Sequence, residues 1–156
     1  MRTKQSTLSN LRILRQCLLL GVLLTPVMAV GQAPNFEDTL RLAEEGYSYA
    51  QYNLGVMYAN GEGVPEDDAE ALKWFRLAAD QGNARAQFNL GNMYYEGDGV
   101  PRNDVTAYAW WNIAAASGHE GAISNRSIIE ARMTPAQITE AQQLSTEIFE
   151  RIQQGN

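Results

Sequence analysis

The sequence predicts an all-α fold, an α/α solenoid of stacked helix pairs. Three observations carry that expectation. The chain repeats itself at a fixed offset of 36 residues. Each unit divides into two stretches with helical apolar spacing, separated by a turn rich in Gly and Pro. Composition, 45% hydrophobic and 19% charged over 156 residues, is that of one folded domain rather than a disordered chain.

The segment before the repeats reads as an export signal. Residues 1–29 hold four cations (Arg2, Lys4, Arg12, Arg15) and no acid. The apolar run Cys17–Val30 is 14 residues, short of the roughly 20 that a membrane-spanning helix needs. Basic head, short apolar centre and small residues after it describe a secretory signal peptide spanning 1–29. The cut falls after Ala29, with Gly31 and Ala33 as alternatives. Cys17, the sole cysteine, then leaves with the signal, and an internal disulfide is excluded in any case.

The solenoid domain follows over 34–156. Phe36–Glu45, ended by Gly46, reads as a lone second helix, a half-repeat at 36–46. Repeat one covers 50–85 and repeat two 86–121. Ala50-Gln51-Tyr52-Asn53-Leu54-Gly55 returns as Ala86-Gln87-Phe88-Asn89-Leu90-Gly91. Gly61-Glu62-Gly63-Val64-Pro65 returns as Gly97-Asp98-Gly99-Val100-Pro101, and Trp74 as Trp110.

In the first helix of repeat one, Ala50, Leu54, Met57 and Tyr58 form one apolar face. Gly55 and Gly91 lie on that side. Glycine costs about 1 kcal/mol against Ala in a helix, so its return implies close approach of a neighbour. Gly61 and Gly63 stop the helix and permit positive φ. Asp67 caps the second helix with Glu70 as its reciprocal partner, and Asn103 holds the matching cap position. Ala71, Trp74, Phe75, Ala78 and Ala79 form the buried stripe of that helix; Ala107, Trp110, Trp111, Ala114 and Ala115 are their counterparts.

A degenerate first-type helix is expected over 121–133, with Ser124 and Arg126 where Phe88 and Leu90 stood. Thr134-Pro135-Ala136-Gln137 then opens a capping helix over 135–154. Its dry side is Ile138, Ala141, Leu144, Ile148 and Ile152, which suits a terminal cap on a helix stack. About seven helices result.

The pattern Ala-x-x-x-Leu-Gly-x-x-Tyr, Gly-x-Gly-Val-Pro, Ala-x-x-Trp and Ala-Ala-x-x-Gly resembles the Sel-one-like repeat (SLR) family, relatives of the tetratricopeptide repeat (TPR). The stretch Arg132–Gln142 is similar to the ending that many bacterial members use. The resemblance implies a right-handed solenoid of TPR/SLR-type helix pairs that binds proteins, often in signalling or cell-envelope assemblies. Some cysteine-rich secreted relatives bind or hydrolyse β-lactams; their paired cysteines are absent here.

Charge excludes some partners. Residues 30–156 hold 8 cations and 18 acids, a net charge of −10. Such a body is a poor partner for nucleic acid or an anionic membrane. Membrane contact is expected only through an uncleaved signal segment. No catalytic constellation stands out. The single histidine, His119, reads as a solvated turn residue. Glu66-Asp67-Asp68 with Glu70 reads as a helix start, where the macrodipole favours acids. No cofactor and no metal site are expected.

The binding surface is expected on the first helices, which tend to line the inside of a solenoid's curve. Tyr52, Val56 and Asn60 of repeat one, with Arg85, Phe88, Asn92 and Tyr95 of repeat two, vary between repeats while the core positions do not. They are the candidate peptide-binding residues. The alternative is that Tyr52 and Phe88 pack between adjacent repeats.

The leading function is an exported, non-enzymatic scaffold or adaptor, in the periplasm or outside a Gram-negative bacterium. One alternative is a cell-envelope enzyme or binder acting on β-lactam or peptidoglycan fragments. Another is a structural protein that weakly self-associates.

Overall fold

The computed structural model describes residues 35–155. The signal segment 1–29, its cut-site alternatives up to 33, and Cys17 lie outside them. The described residues hold seven α-helices and no strand. They are α1 (Phe36–Glu44), α2 (Ser48–Asn60), α3 (Asp68–Asp80), α4 (Ala84–Glu96), α5 (Asp104–Ala116), α6 (Glu120–Glu130) and α7 (Pro135–Gly155). Each helix packs on the next from α1 through α6, as in an α/α solenoid. None is long and apolar enough to cross a membrane.

Local signals account for the helix ends. Asn35, Asp67, Asn83 and Asn103 each accept a hydrogen bond from a backbone N–H in the first turn of the helix they open. Gly61 and Gly97 end α2 and α4 in the left-handed conformation, at φ 68° and 91°. At the head of α7, Thr134 N–H donates to Gln137 Oε1, and Gln137 N–H donates back to Thr134 Oγ1. The reciprocal box expected at Asp67 and Glu70 does not form. Asp67 N–H already donates to the Tyr58 carbonyl at 2.9 Å, so it has nothing left to give a carboxylate. Glu70 pairs with Lys73 instead.

The glycines inside α2 and α4 are explained by aromatic rings. A Cβ on Gly55 would stand 2.6 Å from Phe75 Cδ1, and one on Gly91 would press still closer on the Trp111 ring. Both rings come from the second helix of the same repeat. The helix pair therefore closes by seating a ring on a bare backbone, which the density of a protein interior requires.

Buried glutamines tie each repeat to the one before. Gln51 and Gln87 are almost fully buried, and each donates its side-chain N–H to a carbonyl eight residues earlier, Ala43 and Ala79.

The last helix is not an end plate. α7 packs on α5 and reaches α3. Its Ile148 and Ile152 join the cluster of Phe75, Leu90, Met93, Trp110 and Ile113. Its Ala141 joins Tyr108, Trp111 and Ile129. α7 thus runs back along the second helices. The stretch α6 survives the loss of its Leu because Arg126 donates to Asn112 Oδ1 at 2.9 Å, and Asn112 donates to Ser145 of α7.

Candidate functional site: a groove across the first helices

Two hollows lie on the side formed by α2, α4 and α6. The first is lined by Tyr52, Val56, Ala59 and Asn60 of α2, Phe75 of α3, Asn89, Asn92 and Met93 of α4, and the acids Asp68 and Asp98. The second is lined by Asn92, Tyr95 and Glu96 of α4, Trp111 of α5, and Asn125, Ile128 and Ile129 of α6. Every residue of the second hollow stands 36 positions after a residue of the first. Val56 maps to Asn92, Phe75 to Trp111, Asn89 to Asn125, and Met93 to Ile129. The same cradle is therefore built twice, and Asn92 belongs to both.

The second cradle is held more tightly. Trp111 Nε1–H donates to both the Phe88 carbonyl and Asn92 Oδ1, at 3.2 and 3.1 Å. Asn125 also donates to Asn92 Oδ1. Tyr95 lies 5.5 Å from the Trp111 ring, beneath the Arg102 guanidinium, and its hydroxyl accepts from Arg132. The hydrogen bond to Asp104 raises the Arg102 pKa further above its ordinary value. In the first cradle Tyr52 lies 5.9 Å from Phe75, and Asn89 makes no side-chain hydrogen bond among the described residues.

The seven candidate residues divide. Tyr52, Val56, Asn60 and Asn92 line the first hollow, and Asn92 and Tyr95 the second. Arg85 and Phe88 line neither. Phe88 packs against the head of α6: its ring stacks on His119 at 4.4 Å and 21°. Gly121 lets it in, since a Cβ there would lie 3.2 Å from the ring. Nor is His119 a solvated turn residue. It is half-buried and caps α6, its Nδ1 accepting from Ala122 N–H.

The model of the Sel1 repeat matches residues 48–83 and 84–119. A Sel1 repeat protein from Oxalobacter formigenes is similar at 38% identity and a TM-score of 0.57, with 58% of this chain and 68% of that one covered. The chain belongs to the Sel1 repeat family. The crystal structure of a protective antigen present in uropathogenic Escherichia coli strains, displaying an SLR fold, is similar at 37% identity and a TM-score of 0.73. That match covers 75% of this chain, which spans about 25% of the antigen's length. No curated protein matches the chain.

The two Sel1 repeats and α6 contribute lining residues that the sequence alone did not single out, chiefly Asp68, Asn89 and Asp98 of the repeats and Asn125 of α6. A signal existed for the asparagines. Asn53, Asn89 and Asn125 recur at the 36-residue offset on a helix face that is not core. Recurrence at a half-exposed position marks a structural or binding role as clearly as recurrence in the core. Among the described residues, no group of three His, Cys, Asp or Glu side chains is placed to hold a metal.

Proposed function

We propose that this Sel1 repeat protein is an exported, non-enzymatic scaffold that binds another protein along the groove of α2, α4 and α6. The single observation that carries the reading is the doubled cradle. Its frame repeats, while its lining changes from Val56 to Asn92 and from Asn92 to Ile128. A fixed frame with a varied lining is what a recognition surface needs. The position of α7 supports the same side. That helix covers α5 and part of α3, which leaves the first helices as the open face. Sel1 repeat proteins mediate protein–protein interactions, which supports the scaffold reading. The basic head and short apolar run of residues 1–29 support export to the periplasm or beyond.

Two measurements test this. Amino-terminal sequencing of the protein from its native host should begin at residue 30, 32 or 34; a start at Met1 overturns export. Affinity capture from the native envelope should yield a partner with the wild-type chain and lose it with Val56→Arg, whose circular dichroism should show the helices still folded. A partner held equally by Val56→Arg overturns the groove.

A further inference from the structure

The two repeats treat their acids differently, and the difference falls in the first hollow. In repeat two, Asp104 pairs with Arg102 at 3.0 Å. The matching residues of repeat one are Asp68 and Glu66. An acid stands where the arginine would, so Asp68 has no such partner. In repeat one, Glu62 accepts from Asn60 at 2.7 Å. The matching residues of repeat two are Asp98 and Glu96. Again an acid replaces the donor, so Asp98 has no such partner.

Both orphaned carboxylates line the same hollow. The fold brings them there through Gly99, at φ 64°, whose backbone presses on the start of α3; a Cβ on it would lie 2.6 Å from the Asp68 carbonyl. No cation lines this hollow, and neither acid forms an ion pair among the described residues. Its remaining walls are the Tyr52 and Phe75 rings, Val56, Ala59 and Met93, with amides of Asn60, Asn89 and Asn92. A hollow that offers aromatic and aliphatic walls together with two carboxylates and no cation suits a long side chain with an apolar stem and a cationic head. The hollow has a volume of about 380 Å³, against about 220 Å³ for its neighbour. The larger one therefore takes the longer side chain.

The second hollow differs in its charges. Its acid, Glu96, has Arg102 nearby. Its floor is Trp111 and Ile129, and its rim is Ile128, a large apolar residue left 58% exposed. We propose that the groove takes an extended, cationic segment of a partner protein, with an Arg or Lys side chain in the first hollow and an apolar side chain in the second. This inference rests on the scaffold reading and adds the chemistry of the partner. The two hollows lie one repeat apart, and an extended chain advances about 3.1–3.4 Å per residue. The two anchoring side chains of the segment are therefore separated by several residues.

The test titrates the full chain with fluorescent 12-residue peptides on a Ser/Gly background, followed by anisotropy. One set of peptides carries Arg and Leu three to six positions apart, and the best binder of the set is the Arg peptide. Others replace Arg with Glu or norleucine. The Arg peptide should bind at least tenfold more tightly than either. The double variant Asp68→Asn, Asp98→Asn should weaken it at least tenfold. The double variant Glu147→Gln, Glu150→Gln changes net charge equally on the exposed face of α7 and should weaken it less than twofold. Asp98→Asn alone, in a turn outside any helix, should show part of the loss without touching the start of α3.

Equal loss in both double variants overturns the proposal, because the whole chain's field would then suffice. Equal binding of the norleucine or Glu peptide, still lost in Val56→Arg, overturns the cationic specificity and leaves the scaffold reading standing. No binding by any peptide overturns the proposal; if Val56→Arg also keeps every envelope partner, the scaffold reading falls with it.

Discussion

Gln81 donates to Gln51 Oε1 at 2.7 Å, bridging α3 to α2. The same N–H group also reaches the Gly46 carbonyl at 3.0 Å. Gln51 is thereby satisfied at both ends, since its own N–H donates to Ala43. One repeat later the arrangement is incomplete. Gln87 donates to Ala79, but its Oε1 is buried and has no partner. The residue matching Gln81 is Ser117, whose side chain is too short.

Ser117→Gln should therefore stabilise the protein. It restores a bond the other repeat already shows, worth about 0.5–1.5 kcal/mol net. For a domain of this size that raises the melting midpoint by about 2–5 °C. Gln81→Ala should lower it by a similar amount. Calorimetry of both variants checks the pair. An unchanged midpoint in Ser117→Gln would mean that Gln87 Oε1 is already served by water.

The two buried glycines should respond unequally to alanine. Replacing either gains about 1 kcal/mol of helix propensity, while overpacking costs about 1–3 kcal/mol or more. The outcome depends on whether the facing ring can move. Phe75 has no hydrogen bond to hold it, whereas Trp111 is pinned by Phe88 and Asn92. Gly91→Ala should thus destabilise by about 2 kcal/mol or more, and Gly55→Ala by less. Urea midpoints for the two variants decide the order; a larger loss in Gly55→Ala contradicts the pinning.

His119 and Phe88 should behave as a structural pair. His119→Ala removes a helix cap worth about 1 kcal/mol and a stacked ring worth about 0.5–1.5 kcal/mol. His119→Asn supplies the cap that Asn83 supplies for α4, and should recover about half the loss. Phe88→Ala should cost about 2 kcal/mol, below the 3–5 kcal/mol of a fully buried ring. The double variant should lose less than the sum of the singles, because both remove the same stack. Strict additivity in thermal melts would deny the contact.

Most of the fold was legible because the chain carries its own internal comparison. The offset marked Gly55 and Gly91 as points of close approach, where the structure seats Phe75 and Trp111, and it marked Gly61 as a helix stop with Gly97 as its counterpart. What could not be read was which side chains meet across the stack. Phe88 and Tyr52 occupy the same repeat position, yet Phe88 is stacked on His119, the cap of α6, while Tyr52 lines a hollow. Periodicity assigns both to one helix face; only the neighbour at 119 separates them. The cap at Asp67 failed in its second half for a similar reason. Its N–H was taken by Tyr58, a partner nine residues away that no local motif announces. Asp68 and Asp98 were hidden because each belongs to a different repeat, and the hollow forms only where a turn of one meets a helix of the other.

The candidate residues should therefore separate into two classes on mutation. Val56 and Asn60 line the first hollow and make no bond that another repeat depends on. Asn60 loses only an exposed contact with Glu62. Asn60→Ala should melt within about 0.5 kcal/mol of wild type, as surface changes do. Val56→Arg, at a half-buried side chain packed against the core, should cost about 1 kcal/mol and leave the chain folded. Phe88 and Asn92 are different. Asn92 accepts from both Trp111 and Asn125; Trp111 keeps the Phe88 carbonyl, so Asn92→Ala leaves the Asn125 amide short of a partner and loosens the Trp111 ring inside the second cradle. That should cost about 1–3 kcal/mol. Partner binding then sorts the same variants another way. Val56→Arg should abolish it in a chain that remains folded, whereas Arg85→Ala, which touches neither hollow, should leave it within twofold. Loss of binding in Arg85→Ala with retention in Val56→Arg would move the interface away from the groove and onto the start of α4.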